Sequence, residues 1–315
     1  MIRYLTESRA MKKRHKLLNA VIIIIGIMLS ACTPRLSIKE LEGDLVFVSD
    51  LNKYSFQLNT YHLANDEVES VNIPDDLLFP TVDLKNNRFV CLTSSKSTMS
   101  SGYLTKANLK TGKLERCRGP VSSSVQLDPR QNNENYVILG SSLDVKIVDI
   151  ATCETVETLY DVKKDRDPEE IFHFIERVSM SRDGKYLYMA TEENTSRAQF
   201  SIFQLNLTTR EKVFLVNGNS PSIAPDGNRL AFIDDDKIKI LDIDTRAVID
   251  FDRNKFPENY HFFTLVWDES GSKLLIEMFY DNEYDRDKKI FILDVYSGNV
   301  TEISTPGMQP SWIRK

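Results

Sequence analysis

Side chains able to ligate a metal or move protons are few in this chain and widely separated. Three histidines follow residue 31, namely His62, His173 and His261, and the last two each stand just before a predicted strand. Imidazole is a common metal ligand and proton carrier, and a fold that brings distant segments round one axis would let such residues meet. We predict no metal ligand, but His173 and His261 are the candidates for a metal test.

Two acidic clusters, residues 234–236 and 281–287, are candidates for calcium binding because carboxylates are hard oxygen ligands. Neither has the Asp-x-Asp-x-Asp-Gly spacing of a calcium loop, and each falls between two predicted strands. We therefore interpret both clusters as solvated hairpin tips. The mixed-charge run at 163–167 is interpreted as a linker.

The chain lacks the motifs that mark common enzyme sites. It has no Gly-x-Ser-x-Gly elbow, His-Glu-x-x-His helix, Cys-x-x-Cys pair, phosphate-cradling loop or dinucleotide fingerprint. We therefore predict no catalytic residue and no cofactor. An enzymatic role stays open but is not favoured.

A targeting signal stands near the start of the chain. A basic stretch at 11–16 precedes about a dozen mostly apolar residues, whereas a bilayer-spanning helix needs roughly 20. This arrangement is typical of a bacterial export signal rather than of the fold. Met11 makes a better start than Met1, because the residues before it add no targeting information.

Residues 29–32, Leu-Ser-Ala-Cys, resemble the lipobox of bacterial lipoproteins. The resemblance implies that the thiol of Cys32 takes a diacylglyceryl group, that residues 1–31 are removed as the signal peptide, and that residues 32–42 are an acylated tether. Two or three acyl chains together hold a protein in a bilayer essentially permanently. Thr33 resembles the default for outer-membrane sorting, so we expect a periplasm-facing protein of the outer membrane in a Gram-negative host, and otherwise of the outer face of the cell membrane.

The charge of the chain excludes one class of partner. The 315 residues have a formal net charge of −6, and removing residues 1–31 takes away six Lys/Arg and one Glu, which leaves −11. Such an acidic body repels phosphate backbones, so we expect no nucleic-acid partner.

The cysteines beyond Cys32 are Cys91, Cys117 and Cys153. An odd number allows at most one internal disulfide in an oxidising compartment. Cys117 with Cys153 is our choice for that pair. Three small buried or half-buried residues without a disulfide are an equally supported alternative.

A repeat runs through the chain. Three similar segments place turn glycines at Gly184, Gly227 and Gly271, 43 and 44 residues apart. In each segment a strand leads into a tight turn, where Asp caps the backbone and Gly supplies a positive φ, and a second strand follows. A second mark, Asp or Asn followed three residues later by Thr or Ser, recurs from Asn59 to Asp294 with a mean interval of about 47 residues, which suits one four-stranded propeller blade.

Residues 221–233, Pro-Ser-Ile-Ala-Pro-Asp-Gly-Asn-Arg-Leu-Ala-Phe-Ile, resemble the TolB-type β-propeller repeat, whose consensus runs Ser-Pro-Asp-Gly-Lys-x-Leu-Ala-Phe. We therefore expect residues 43–315 to form an all-β fold, a β-propeller of six four-stranded blades. Residues 307–313 start like a new blade and stop, while residues 45–48 begin in the middle of one. Pairing of the last strand with the first blade would close the ring and hide both sheet edges.

The TolB resemblance implies protein binding by one face of the propeller within an envelope complex. We therefore expect a membrane-anchored, non-catalytic lipoprotein that binds or scaffolds an envelope protein, with membrane lipid bound through acylated Cys32. Two alternatives would use the central channel. One is a carbohydrate-active enzyme of the lyase or glycosidase type, and the other is a solute-sensing lipoprotein.

Overall fold

The structure is a computed structural model that describes residues 43–52, 55–71, 77–95, 98–109, 113–130, 135–165, 174–193, 199–280 and 287–315. Cys32, His173 and nearly all of the acidic cluster 281–287 lie outside these segments. Within them, no helix has the length and apolar composition that crossing a bilayer requires.

The described residues form six four-stranded antiparallel sheets, which confirms the predicted six-bladed β-propeller. Blades 1 to 3 comprise β24 (Met308–Trp312), β1 (Leu45–Asn52), β2 (Ser55–His62) and β3 (Glu67–Val71); β4 (Leu77–Asp83), β5 (Arg88–Ser95), β6 (Thr98–Asn108) and β7 (Lys113–Ser122); and β8 (Ser124–Leu127), β9 (Tyr136–Gly140), β10 (Asp144–Asp149) and β11 (Glu154–Asp161).

Blades 4 to 6 comprise β12 (Ile175–Met180), β13 (Tyr186–Glu193), β14 (Gln199–Asn206) and β15 (Lys212–Asn217); β16 (Asn219–Ile223), β17 (Arg229–Asp234), β18 (Lys237–Asp242) and β19 (Val248–Asp250); and β20 (Tyr260–Trp267), β21 (Lys273–Tyr280), β22 (Lys288–Asp294) and β23 (Val300–Glu302). A one-turn helix, α1 (Val162–Asp165), follows blade 3, and a 3₁₀ helix (Arg253–Lys255) precedes blade 6.

Blade 1 takes its first strand from the other end of the chain, as predicted. β24 runs antiparallel to β1, with Trp312 opposite Leu45 and Met308 opposite Val48. The indole Nε1 of Trp312 also donates to the carbonyl of Val266 in blade 6 at 3.1 Å. The last strand is therefore held by two blades, and the edge of β1 is covered.

The blades pack through one repeated core position on their second strands. Phe89, Leu187, Leu230 and Leu274 occupy that position in blades 2, 4, 5 and 6, and each is fully buried. Burying a side chain of this size contributes about 2 kcal/mol. The repeat seen in the sequence is therefore a packing repeat as well as a turn repeat.

The turn between the first and second strands requires glycine for its backbone conformation. Gly184, Gly227 and Gly271 have φ of 71°, 80° and 68°, as predicted. At Gly227 an added Cβ would meet no atom within 4 Å, so only the positive φ demands glycine there. Oδ1 of Asp226 accepts from the backbone N–H of Asn228 at 2.9 Å, which caps the turn.

The second repeated mark is the turn between the third and fourth strands. Oδ1 of Asp242 accepts from the N–H and hydroxyl of Thr245 at 2.8 and 2.7 Å, and Arg246 follows in the left-handed region at φ 62°. The equivalent residue is Gly298 in blade 6, with φ 67°, and Cys153 in blade 3, with φ 62°. Blades 3 and 5 thus place a side chain where blade 6 has glycine.

One disulfide joins blades 2 and 3. Cys117 in β7 and Cys153 in the β10–β11 turn lie with their Cα atoms 5.4 Å apart, and their sulfurs are bonded. This confirms our choice of pair. The thiol of Cys91 is buried and donates to the carbonyl of Thr105.

The run at 163–167, interpreted as a linker, lies in the connection between blades 3 and 4, and the structure describes its residues 163–165. Residues 163–165 belong to α1. The carboxylate of Asp165 accepts from the N–H of Asp161 at 2.8 Å and pairs with Arg210 of blade 4, also at 2.8 Å. The mixed charge of this run therefore fixes a contact between neighbouring blades.

Candidate functional site

The first strands of the six blades surround a central channel, a cavity of about 630 Å³. Since each of these strands runs in the same sense along the axis, residues at corresponding positions of different blades meet in the channel. We call the end at which Asp83, Asp128 and Arg182 lie the turn end, because it carries the turns between first and second strands. The opposite end, with Ser220 and Gln309, is called the start end.

At the turn end, Asp83 is 2 % exposed and accepts hydrogen bonds on both carboxylate oxygens. Its oxygens accept from the backbone N–H of Asn86 at 3.0 Å, from the amide of Asn86 at 2.9 Å and from Nη2 of Arg88 at 2.5 Å. Burial alone would raise the pKa of Asp83, but these hydrogen bonds and the charge of Arg88 hold the pKa below its ordinary value. Asp83 is thus a fixed carboxylate.

Asp128 makes the equivalent pair in blade 3. Its oxygens accept from the backbone N–H of Arg130 at 3.0 Å, from Nε at 2.9 and 3.0 Å and from Nη2 at 2.5 Å. This is the two-pronged geometry in which a guanidinium binds a carboxylate most strongly. The hydrogen bonds to Asp128 raise the pKa of Arg130.

The remaining arginines of the turn end have weaker counterions. Nε of Arg314 lies 3.7 Å from Glu269, beyond hydrogen-bond distance. Arg182 is exposed at the channel mouth, and none of the ion pairs among the described residues includes it. Burial lowers the pKa of Arg314; Asp83 and Glu269 oppose this, while the charges of Arg88 and Arg182 lower the pKa further.

No sequence motif marks these arginines, and we did not predict them. Their positions relative to the ends of the predicted first strands could have indicated them. Asp83, Asp128, Arg182 and Arg314 each stand within two residues of the end of a first strand. Superimposing the repeats would have placed all four around one axis.

Near the start end, Glu277 on β21 is 2 % exposed, and its Oε2 has no hydrogen-bond partner in the described structure. Burial raises the pKa of Glu277, although the charge of Arg177 and a hydrogen bond from the backbone N–H of Gln309 act against it. A carboxylic acid in such surroundings can act as a proton donor. Glu277 is not among the residues that line the cavity, whereas Arg177 is.

The histidine candidates do not form a site in the described structure. His261 is the second residue of β20, 57 % of its side chain is exposed, and its Nδ1 lies 3.7 Å from Asp236. It packs against Phe279 and does not line the cavity. No group of three metal-ligating side chains occurs within the described segments. His173, the other candidate, and Cys32, the predicted lipidation residue, lie outside them.

The acidic cluster at 234–236 forms a hairpin tip, as we interpreted it. Asp235 and Asp236 have φ of 51° and 54°, which makes the tight turn between β17 and β18. Asp234 pairs with Lys239 at 2.7 Å, and Asp236 pairs with Arg253 at 3.0 Å. These carboxylates therefore already have cationic partners from the protein.

No protein-family model matches the sequence, and no curated protein matches it. Solved structures do share its fold. A TolB from Acinetobacter baumannii aligns over 88 % of this chain and 68 % of its own length, with TM-score 0.61 and 14 % identity. A protein described as a TolB from Agrobacterium tumefaciens aligns over 84 % of this chain and 91 % of its own length, with TM-score 0.60 and 12 % identity.

An oligogalacturonate lyase from Vibrio parahaemolyticus is also similar, over 82 % of this chain and 73 % of its own length, with TM-score 0.50 and 12 % identity. At such identities the similarity shows the fold alone. The chain therefore has the six-bladed β-propeller architecture that TolB structures share.

Proposed function

We propose that this chain is a non-catalytic, membrane-anchored propeller lipoprotein that binds another protein in the bacterial cell envelope. The observation that carries the proposal is the state of the carboxylates in the channel. A glycosidase or lyase of the propeller type needs a carboxylate or a metal that is free to react. Asp83 and Asp128 instead accept hydrogen bonds from their own neighbours on both oxygens.

Of the two other carboxylates in the channel wall, Asp268 supports the same interpretation. Oδ1 of Asp268 accepts from the backbone N–H groups of Ser272 and Lys273 at 2.8 and 2.9 Å, so this side chain shapes its turn. Glu269 is exposed, with Nε of Arg314 3.7 Å away, and is the channel carboxylate that the enzymatic alternative would have to use. The fold similarity to TolB structures fits a binding role, and the similarity to an oligogalacturonate lyase keeps the enzymatic alternative worth testing.

Anchoring would place the propeller close to the membrane. The tether at 33–42 has about ten residues, and an extended chain reaches at most ~3.5 Å per residue, which gives roughly 35 Å. The expected location is the periplasmic side of the outer membrane in a Gram-negative host, or the outer face of the cell membrane otherwise. Partners within that distance of the bilayer are the ones to seek.

Photo-crosslinking in cells tests the proposal. Leu143 in the β9–β10 turn and Tyr296 in the β22–β23 turn are 40 % and 75 % exposed and lie at opposite ends of their blades, because successive hairpins of a blade alternate between its ends. A photo-reactive residue at one of them should give a discrete protein adduct. The control is Val156 on an outer strand, which is 53 % exposed and should give none.

Two results would overturn the proposal. One is the absence of an adduct from either end of the blades. The other is turnover of oligogalacturonate by the purified protein, measured as unsaturated product, which would establish an enzyme. A Cys32→Ala variant tests the anchor separately: the protein should leave the membrane fraction and lose the adduct, and retention of both would refute lipidation at Cys32.

A further inference from the structure

The channel has the opposite charge to the chain around it. The protein has a formal net charge of −6, but seven Lys or Arg side chains and only four Asp or Glu side chains line the cavity among the described residues. Low-dielectric walls strengthen such a field and concentrate ions of the opposite sign. The interior therefore attracts anions that the outer surface repels.

The excess of positive charge is concentrated at the turn end. Asp128 is matched by Arg130, and Asp83 is matched by one nitrogen of Arg88. Nε and Nη1 of Arg88 are buried and have no hydrogen-bond acceptor within the described structure. At least half of the N–H donors of this guanidinium group thus have no carboxylate acceptor.

Two further guanidinium groups, those of Arg182 and Arg314, line the same cavity as Arg88. Arg314 follows β24, where its backbone N–H donates to the carbonyl of Val82 at 3.0 Å and its carbonyl accepts from Leu84 at 2.8 Å. These bonds fix the residue against blade 2. Arg182 approaches from blade 4, and its charge is felt by Arg314. Three like charges from three blades therefore face one end of the cavity.

We propose that Arg182 and Arg314, backed by the charge of Arg88, bind a small polyanion in the channel, a ligand that carries at least two negative charges on phosphate or carboxylate groups. Guanidinium forks match the oxygens of both groups. A cavity of about 630 Å³ has the size of ordinary small-molecule sites. The ligand would supply the acceptors that Glu269, at 3.7 Å, does not.

Isothermal titration calorimetry of the full-length protein in non-ionic detergent, at low ionic strength and pH 7, tests the site. Pyrophosphate and citrate serve as probes and separate phosphate from carboxylate ligands. We expect at least one of them to bind with a Kd below about 1 mM. Arg182→Gln should weaken that binding about tenfold, because one charge-assisted contact is lost.

Two further variants keep the test specific. Glu269→Gln removes a competing negative charge and should tighten binding several-fold, an effect that a structural role of these residues would not produce. Arg246→Gln is the matched control, an exposed arginine in the β18–β19 turn, and should leave the affinity unchanged. The thermal melting temperature of each variant without ligand checks that it is folded.

The proposal is overturned if neither probe binds at about 10 mM, since that corresponds to less than ~3 kcal/mol of binding free energy. It is also overturned if Arg182→Gln binds as tightly as the unaltered protein. The outcome is independent of the protein partner proposed above. Anion binding without any crosslinked partner would leave this site standing and remove the other proposal.

Discussion

The disulfide between blades 2 and 3 allows a quantitative prediction. Cys117 and Cys153 are 36 residues apart, and closing a loop of that length removes about 4 kcal/mol of chain entropy from the unfolded state at 25 °C. For a propeller of roughly 270 residues, with an unfolding entropy near 2.1 cal/mol/K per residue, this corresponds to about 7 °C in melting temperature. Replacing both cysteines by serine should therefore lower the melting temperature by that amount.

Differential scanning calorimetry with and without a reductant provides the assay and its control. The reductant should lower the melting temperature of the unaltered protein towards that of the Cys117→Ser, Cys153→Ser variant and leave the variant unchanged. Under denaturing, non-reducing conditions Cys91 should be alkylated, while the other two should not. Equal melting temperatures of the unaltered protein and the double variant, or alkylation of all three thiols, would refute the reasoning.

Three further changes probe the ring. Trp312→Ala should lower the free energy of unfolding by about 2–3 kcal/mol in urea titrations, because a half-buried indole and its bond to Val266 are lost; no loss would mean that β24 does not close the ring. Gly227→Ala should cost about 1 kcal/mol in the same assay, since φ of 80° is strained although space is free, and a neutral result would contradict that strain. Asp83→Ala should cost about 3 kcal/mol, because it leaves the buried Arg88 unpaired. The pKa of Asp83 is lowered on folding, so the stabilisation by its carboxylate is present above about pH 4 and is lost as the pH falls further. The unfolding free energy of Asp83→Ala should therefore depend less on pH in that acid range than the unfolding free energy of the unaltered protein. The same pH dependence in both proteins would refute the assignment.

The parts of the fold that the sequence could predict are those set by neighbouring residues. Gly227 takes a positive φ in the short turn between β16 and β17, and the side chain of Asp242 accepts from the backbone three residues on. Such interactions repeat with the blade, so their period indicated the number of blades. The closing strand was predictable for a related reason, because an unpaired β1 edge is unfavourable and only one half-blade remained to cover it.

The charges of the channel could not be predicted in this way. Arg88 and Arg314 meet only because the ring closes, and nothing in either local sequence indicates the other. The same is true of Arg182 and Glu269, which reach the turn end from blades 4 and 6. Whether these side chains come together depends on the direction of each one at the end of its strand. Packing between the blades fixes that direction.

The pairing of β24 with β1 has a consequence for how the protein is made. Synthesis makes β1 early and β24 last, so the first blade must wait for nearly the whole chain before its sheet is complete. During that interval β1 offers its backbone groups to any strand within reach, and the proposed lipid anchor would hold many copies on one surface. Exchange of β24 between neighbouring copies is the assembly error that this topology exposes the protein to, and the time for which β1 stays unpaired sets the opportunity for it.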